Sequence, residues 1–216
     1  MIKNMKKLAR PLAAVALCGV LATSLQGCFA VAAGGLVMGT LAASDRRTFG
    51  AQTEDKAIVV KGESRIPGVV GDGGHVNVTS FNRKVLLTGE VKDEAMKAAA
   101  EREAAAIEGV QGVVNELEIV GTSSFTSRSN DTLITGKVKA AFIDSKELYA
   151  NAIKVVTERG NVYLMGRVTS REGVLAADAA SNISGVSRVV KVFEYISDDE
   201  YKRLIATPEN TQSSSK

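Results

Sequence analysis

The chain has 216 residues, of which 27 are basic and 24 acidic, with one histidine, two cysteines and no tryptophan. That length accommodates one ordinary domain or two small ones. Lys3, Lys6, Lys7 and Arg10 account for the whole positive excess, so composition gives no basis for a nucleic-acid partner, and affinity for an anionic surface must come from local basic patches.

Those four basic residues precede an apolar run from Leu12 to Leu25, the layout of a secretory signal. The run ends in Leu25-Gln26-Gly27-Cys28, which resembles a bacterial lipobox, although Gln26 stands where Ala, Ser or Thr is commoner. Residues 1–27 are therefore read as a lipoprotein signal peptide, and Cys28 as the site of lipid attachment, its acyl chains palmitate included. The competing reading is an uncleaved membrane anchor. Cys18 leaves with the signal, so the mature chain has one cysteine and no intramolecular disulfide. Phe29, in the place of an inner-membrane-retaining Asp, points to the outer membrane, with the domains facing the periplasm. More than one acyl chain makes such an anchor stable. Residues 28–44 form an Ala/Gly-rich tether without charge, short for a spanning helix.

An internal repeat organises the rest. Val78, Val85, Leu87, Gly89 and Val91 recur as Val155, Val162, Leu164, Gly166 and Val168. Ile107, Gly109, Val110, Val113 and Val114 recur as Ile183, Gly185, Val186, Val189 and Val190. In the second copy a strand (155–157) is followed by a turn at 158–161, where Gly160 can take a positive φ. A second strand starts at Val162, a helix capped by Thr169 or Ser170 follows, and a third strand spans 186–196. The first copy repeats this with an Ala-rich helix from Asp93 to Ile107 and a strand from Val110 to Val120. A helix precedes each hairpin: Glu54 to Ile66, ended by Pro67, and Thr132 to Ile143, capped by Asp131. The boundaries expected are a first domain at 45–121, a linker at 122–130, a second domain at 131–197, and a polar, disordered C-terminal extension at 198–216. Each copy is an α+β unit in which two helices cover a three-stranded mixed sheet.

The Val-x-Leu-x-Gly-x-Val hairpin, followed by a helix and Ile-x-Gly-Val-x-x-Val-Val, resembles the BON domain. Two such copies behind a lipobox resemble that family's dual-domain outer-membrane lipoproteins. The resemblance implies an αββαβ fold, no catalysis, a role in outer-membrane integrity under envelope or osmotic stress, and enrichment at division sites. It also implies that the first helix of the second domain contacts anionic phospholipid, where relatives carry Trp in place of Leu133.

At 100° per residue, Ile134, Val138, Ala141 and Phe142 share the core face of that helix. Leu133 points away from them, with Lys137 one turn on. An exposed Leu beside a Lys suits a shallow membrane contact; the alternative is a surface Leu covered by the other domain. The candidate phospholipid-binding set is Leu133, Ile134, Lys137 and Arg128, with Ile134 also on the core face. The alternative function is an interaction module for peptidoglycan or an outer-membrane assembly protein, with lipid supplying location only.

Gly89 and Gly166 interrupt strands and are read as structural, each beneath a closely packed helix. His75 follows Gly71-Asp72-Gly73-Gly74. One His and one Asp make a poor metal site, so this segment is read as a loop. No nucleophile, acid–base constellation, metal site or cofactor site is expected.

Overall fold

A computed structural model describes residues 45–205. The signal segment, Cys28 and the whole tether lie outside this range. The first copy comprises α1 (Phe49–Val70), β1 (His75–Phe81), β2 (Lys84–Val91), α2 (Glu94–Ala105), β3 (Gly112–Asn115) and β4 (Glu118–Ile119). The second comprises α3 (Phe125–Asp144), β5 (Ile153–Glu158), β6 (Asn161–Val168), α4 (Ser170–Ser181) and β7 (Arg188–Tyr195), and α5 (Asp198–Ile205) follows. Both copies are αββαβ units in the expected α+β class.

The middle strand of each sheet pairs antiparallel with its hairpin partner and parallel with the last strand. Parallel pairing needs a crossover, which α2 and α4 supply. Strand alternation then sorts the side chains. Val85, Leu87 and Val91 face α1 and α2 and form one core with Ile58, Ile66, Ala100 and Ala104. Val162, Leu164 and Val168 do the same beneath α3 and α4, with Ile134, Val138 and Phe142. The opposite faces are apolar as well. Phe81 and Leu86 of the first sheet pack with Tyr163, Met165 and Val192 of the second in a third cluster. Residues 45–205 are thus layered helix, sheet, sheet, helix, and the two sheets share a buried seam.

Several boundaries differ from the sequence reading. Helix α3 starts at Phe125, with the Ser124 side chain accepting from the Ser127 N–H, so 125–130 belong to the second domain and are not linker. Asp131 lies inside α3, 5 % exposed, and caps nothing there. Its carboxylate instead accepts the Arg159 and Gly160 N–H groups of the β5–β6 turn, at 2.9 and 2.8 Å. Asp55 holds the Asn82 and Arg83 N–H groups of the β1–β2 turn in the same way. Helix α1 begins at Phe49, where Thr48 caps it, and runs past Pro67 to Val70. Proline is tolerated there because only the last turn is affected and the Glu63 carbonyl it deprives lies on an exposed residue. The expected third strand of the first copy breaks at 116–117, where Asn115 Oδ1 accepts the Leu117 N–H; β4 resumes the same register on β2.

Residues 198–205 are helical rather than disordered. Asp198, Asp199 and Glu200 fill the first turn of α5, where acids suit the helix dipole, and Ser197 Oγ accepts the Glu200 N–H. The rest of the expected tail, from Ala206, lies outside the described residues.

Gly89 and Gly166 are structural for a different reason from the one expected. A Cβ on Gly89 would lie 2.0 Å from the His75 carbonyl oxygen, and one on Gly166 would lie 2.6 Å from that of Ala152. The close neighbour in both copies is backbone at the start of the hairpin, not a helix. Gly89 also has φ +117°, in the region that favours glycine.

Candidate functional site

The core face of α3 carries Ile134, Val138 and Phe142, each at most 1 % exposed. Ile134 is therefore a core residue and not a lipid contact: its position turns it onto the sheet. Leu133 is 64 % exposed, and the first domain does not cover it. Two residues the sequence reading did not single out share its face: Phe125 is 84 % and Ile143 72 % exposed. With Gly136 and Ala140 between them, these side chains fall within an arc of about 80° at the α-helical step, along roughly 27 Å of helix. Lys137 and Lys139 border the arc on opposite sides, and both are exposed. Neither forms an ion pair among the described residues. Arg128 is exposed on the Lys139 side and donates to the Ser123 carbonyl at 3.2 Å. The only acid between Phe125 and Ile143 is Asp131, turned inward onto the hairpin. The outward face thus presents three large apolar side chains with the small Ser129, Gly136 and Ala140 between them, a lysine at each margin, and Asp144 just past Ile143 on the Lys137 side.

Ile143 and Lys139 also border a groove of about 330 Å³ shared with Asp45, Arg47, Phe81 and Lys154. Burial, then repulsion from Arg47, holds the Lys154 ammonium below the ordinary lysine range. Residues 45–47 fasten this end of the molecule. Arg46 forms a bidentate pair with Glu172 at 2.8 and 2.6 Å and donates to the Arg167 carbonyl. Arg47 donates to Asp55 at 2.7 Å and to both Asp45 carboxylate oxygens, with its guanidinium 4.2 Å from the Phe81 ring centroid. Adjacent arginines therefore grip opposite domains. Their signal in the sequence is only Asp45-Arg46-Arg47 at the end of an uncharged stretch.

His75 is the first residue of β1, not a loop residue. Strand pairing places it opposite Glu90, and the domain seam brings Glu158 alongside. Sequence spacing hides this grouping because the three residues come from three strands.

Among the described residues no helix is long and apolar enough to cross a membrane. The BON domain model matches residues 53–121 and 130–197. The chain is 38 % identical over 174 residues to the outer membrane lipoprotein DolP of Haemophilus influenzae, covering 80 % of this chain and 90 % of that one. It is 30 % identical over 158 residues to a 21 kDa hemolysin of Actinobacillus pleuropneumoniae, covering 70 % and 79 %. Among solved structures it is similar to CdsD, a structural protein of the type III secretion system of Chlamydia trachomatis. That match has 11 % identity and a TM-score of 0.28, covering 68 % of this chain and 99 % of the other.

Proposed function

The chain belongs to the BON-domain family, as a dual-BON, lipid-anchored outer-membrane protein of the DolP type, and from that premise we propose that its second domain reads anionic phospholipid through the outward face of α3. In this reading it is a non-catalytic envelope protein that supports outer-membrane integrity under envelope or osmotic stress and gathers where the cell divides.

The observation that carries the reading is the row Phe125, Leu133 and Ile143, exposed together between cations. Burying one such side chain contributes about 1.5–3 kcal/mol, and a Lys or Arg near an anionic surface about 1 kcal/mol. These are small for a free protein. They suffice for one already held at a bilayer by acyl chains, because the second contact is then intramolecular. Chain connectivity agrees: Asp45, where the tether enters the fold, lines the same groove as Ile143 and Lys139. The first described residue of the fold therefore lies beside the C-terminal end of α3.

The test is co-sedimentation of a chain beginning at Phe29 with phosphatidylglycerol-containing or purely zwitterionic vesicles. Anionic-selective binding is expected, and Leu133→Asp should weaken it at least tenfold without lowering the melting temperature. Ile134→Ala separates the two faces of the helix: it should cost about 3 kcal/mol of stability and, in the fraction still folded, leave vesicle affinity unchanged. Absence of binding by the intact domains would overturn the lipid reading and favour peptidoglycan or an outer-membrane assembly protein as partner. Binding that needs only residues 29–44 would assign the activity to the tether.

A further inference from the structure

The seam between the sheets is apolar at its centre and ends in a cluster of ionisable groups. A ring nitrogen of His75 and carboxylate oxygens of Glu90 and Glu158 all lie within 4.8 Å of one another. Glu90 is 0 % exposed and Glu158 5 %. Neither oxygen of Glu90 has a hydrogen-bond partner among the described residues, and nor does His75 Nδ1. A fully buried carboxylate with both oxygens unpaired is costly, and native structures compensate such groups with partners or metal ions. The nearest cation does not suffice. Arg159 stands 3.8 Å from Glu90 Oε1 while making its close contact, 3.0 Å, with Glu118. Glu90, Glu118 and Glu158 thus outnumber the one guanidinium by two charges.

We propose that His75, Glu90 and Glu158 form a binding site for a divalent transition-metal ion, with Zn²⁺ the best fit. One imidazole and two carboxylates are a donor set that zinc accepts, and a dication matches the charge left over. Zinc–ligand distances near 2.0 Å give a tetrahedral edge of about 3.3 Å, and His75 Nδ1 already lies 3.5 Å from Glu90 Oε2. Asn77 Nδ2 donates to Glu158 Oε2 at 2.7 Å, orienting that carboxylate as outer-sphere partners do and leaving Oε1 free. The His75 side chain is 29 % exposed, which gives an ion a way in and leaves room for water as a fourth ligand. Because two ligands come from the first domain and one from the second, the ion would pin the domains together across their seam.

The test uses the full chain, stripped with EDTA and with its thiols alkylated, titrated with ZnCl₂ by calorimetry and followed by NMR. Because His75 is the only histidine, its imidazole resonances are unambiguous. One equivalent of Zn²⁺ should bind, shift those resonances and raise the melting temperature. His75→Gln, at the rim of the seam, should weaken binding at least tenfold while matching the wild type's melting temperature in EDTA. Glu158→Gln should weaken it similarly. Absence of one-equivalent binding, unmoved imidazole resonances, or affinity retained in both variants would overturn the site.

Discussion

Asp55 and Asp131 do the same work in the two copies: each carboxylate reaches from the first helix of its domain to two N–H groups of a hairpin turn. Burial works to raise the Asp55 pKa. The Ser80 hydroxyl, Arg47 and the Arg83 and Asn82 N–H groups outweigh it and hold the carboxyl below the ordinary range. Glu172 is likewise lowered, with burial opposed by Arg46 and Thr169. A carboxyl lowered on folding contributes stability that is complete above its unfolded value, about 4, and is lost as pH falls through the folded one. Urea-denaturation free energies should therefore hold steady down to about pH 5 and drop below pH 4. Asp55→Asn and Glu172→Gln should each start less stable and show a shallower acid slope; an unchanged slope in both would refute the assignment. Glycines separate as clearly. Gly89→Ala meets a carbonyl at 2.0 Å with a positive φ and should destabilise by about 3 kcal/mol. Gly136→Ala meets nothing within 4 Å, in mid-helix, and should stabilise by about 0.5–1 kcal/mol. Chemical denaturation of the two variants checks both signs.

At the scale of elements, the periodic segments were legible and the ends were not. The Val-x-Leu-x-Gly-x-Val hairpins and both crossover helices stand where alternation and Ala-rich periodicity put them, because a half-buried strand writes its period into the chain. Helix α3 is nearly two turns longer at its start than expected because Ser124 caps through a hydroxyl that looks like any other in a Ser/Thr-rich stretch. Asp131 resembled a cap because it is a short acid before an apolar run; its true role is tertiary, and no local pattern distinguishes the two. Leu133 was found by its angle from the core face, whereas Phe125 and Ile143 lay outside or at the edge of the expected helix. The seam left a readable trace. Leu86-Leu87 and Val162-Tyr163-Leu164-Met165 are continuous apolar runs, the mark of strands buried on both faces.

For the whole molecule, that seam makes the two repeats one cooperative unit. Phe81, Leu86, Tyr163, Met165 and Val192 are buried only because the sheets meet, so unfolding either repeat would expose an apolar face of the other. All four tyrosines, Tyr149, Tyr163, Tyr195 and Tyr201, lie in the second half. Tyrosine fluorescence thus reports the second repeat and, through Tyr163, the seam, while far-UV circular dichroism reports both repeats in full. The two signals should lose structure at the same urea concentration; separate midpoints would show two independent units. The paired arginines at the entry to this unit have a mechanical consequence. If the chain ahead of Asp45 were pulled, the first side chains of the fold to meet the load would be those of Asp45, Arg46 and Arg47. Because these grip Glu172 in one repeat and Asp55 in the other, that pull would be shared between both halves at the joint rather than falling on the start of α1 alone. Such a pull would meet both repeats as a rivet meets two plates, and the bidentate Arg46–Glu172 pair is the link to the second of them.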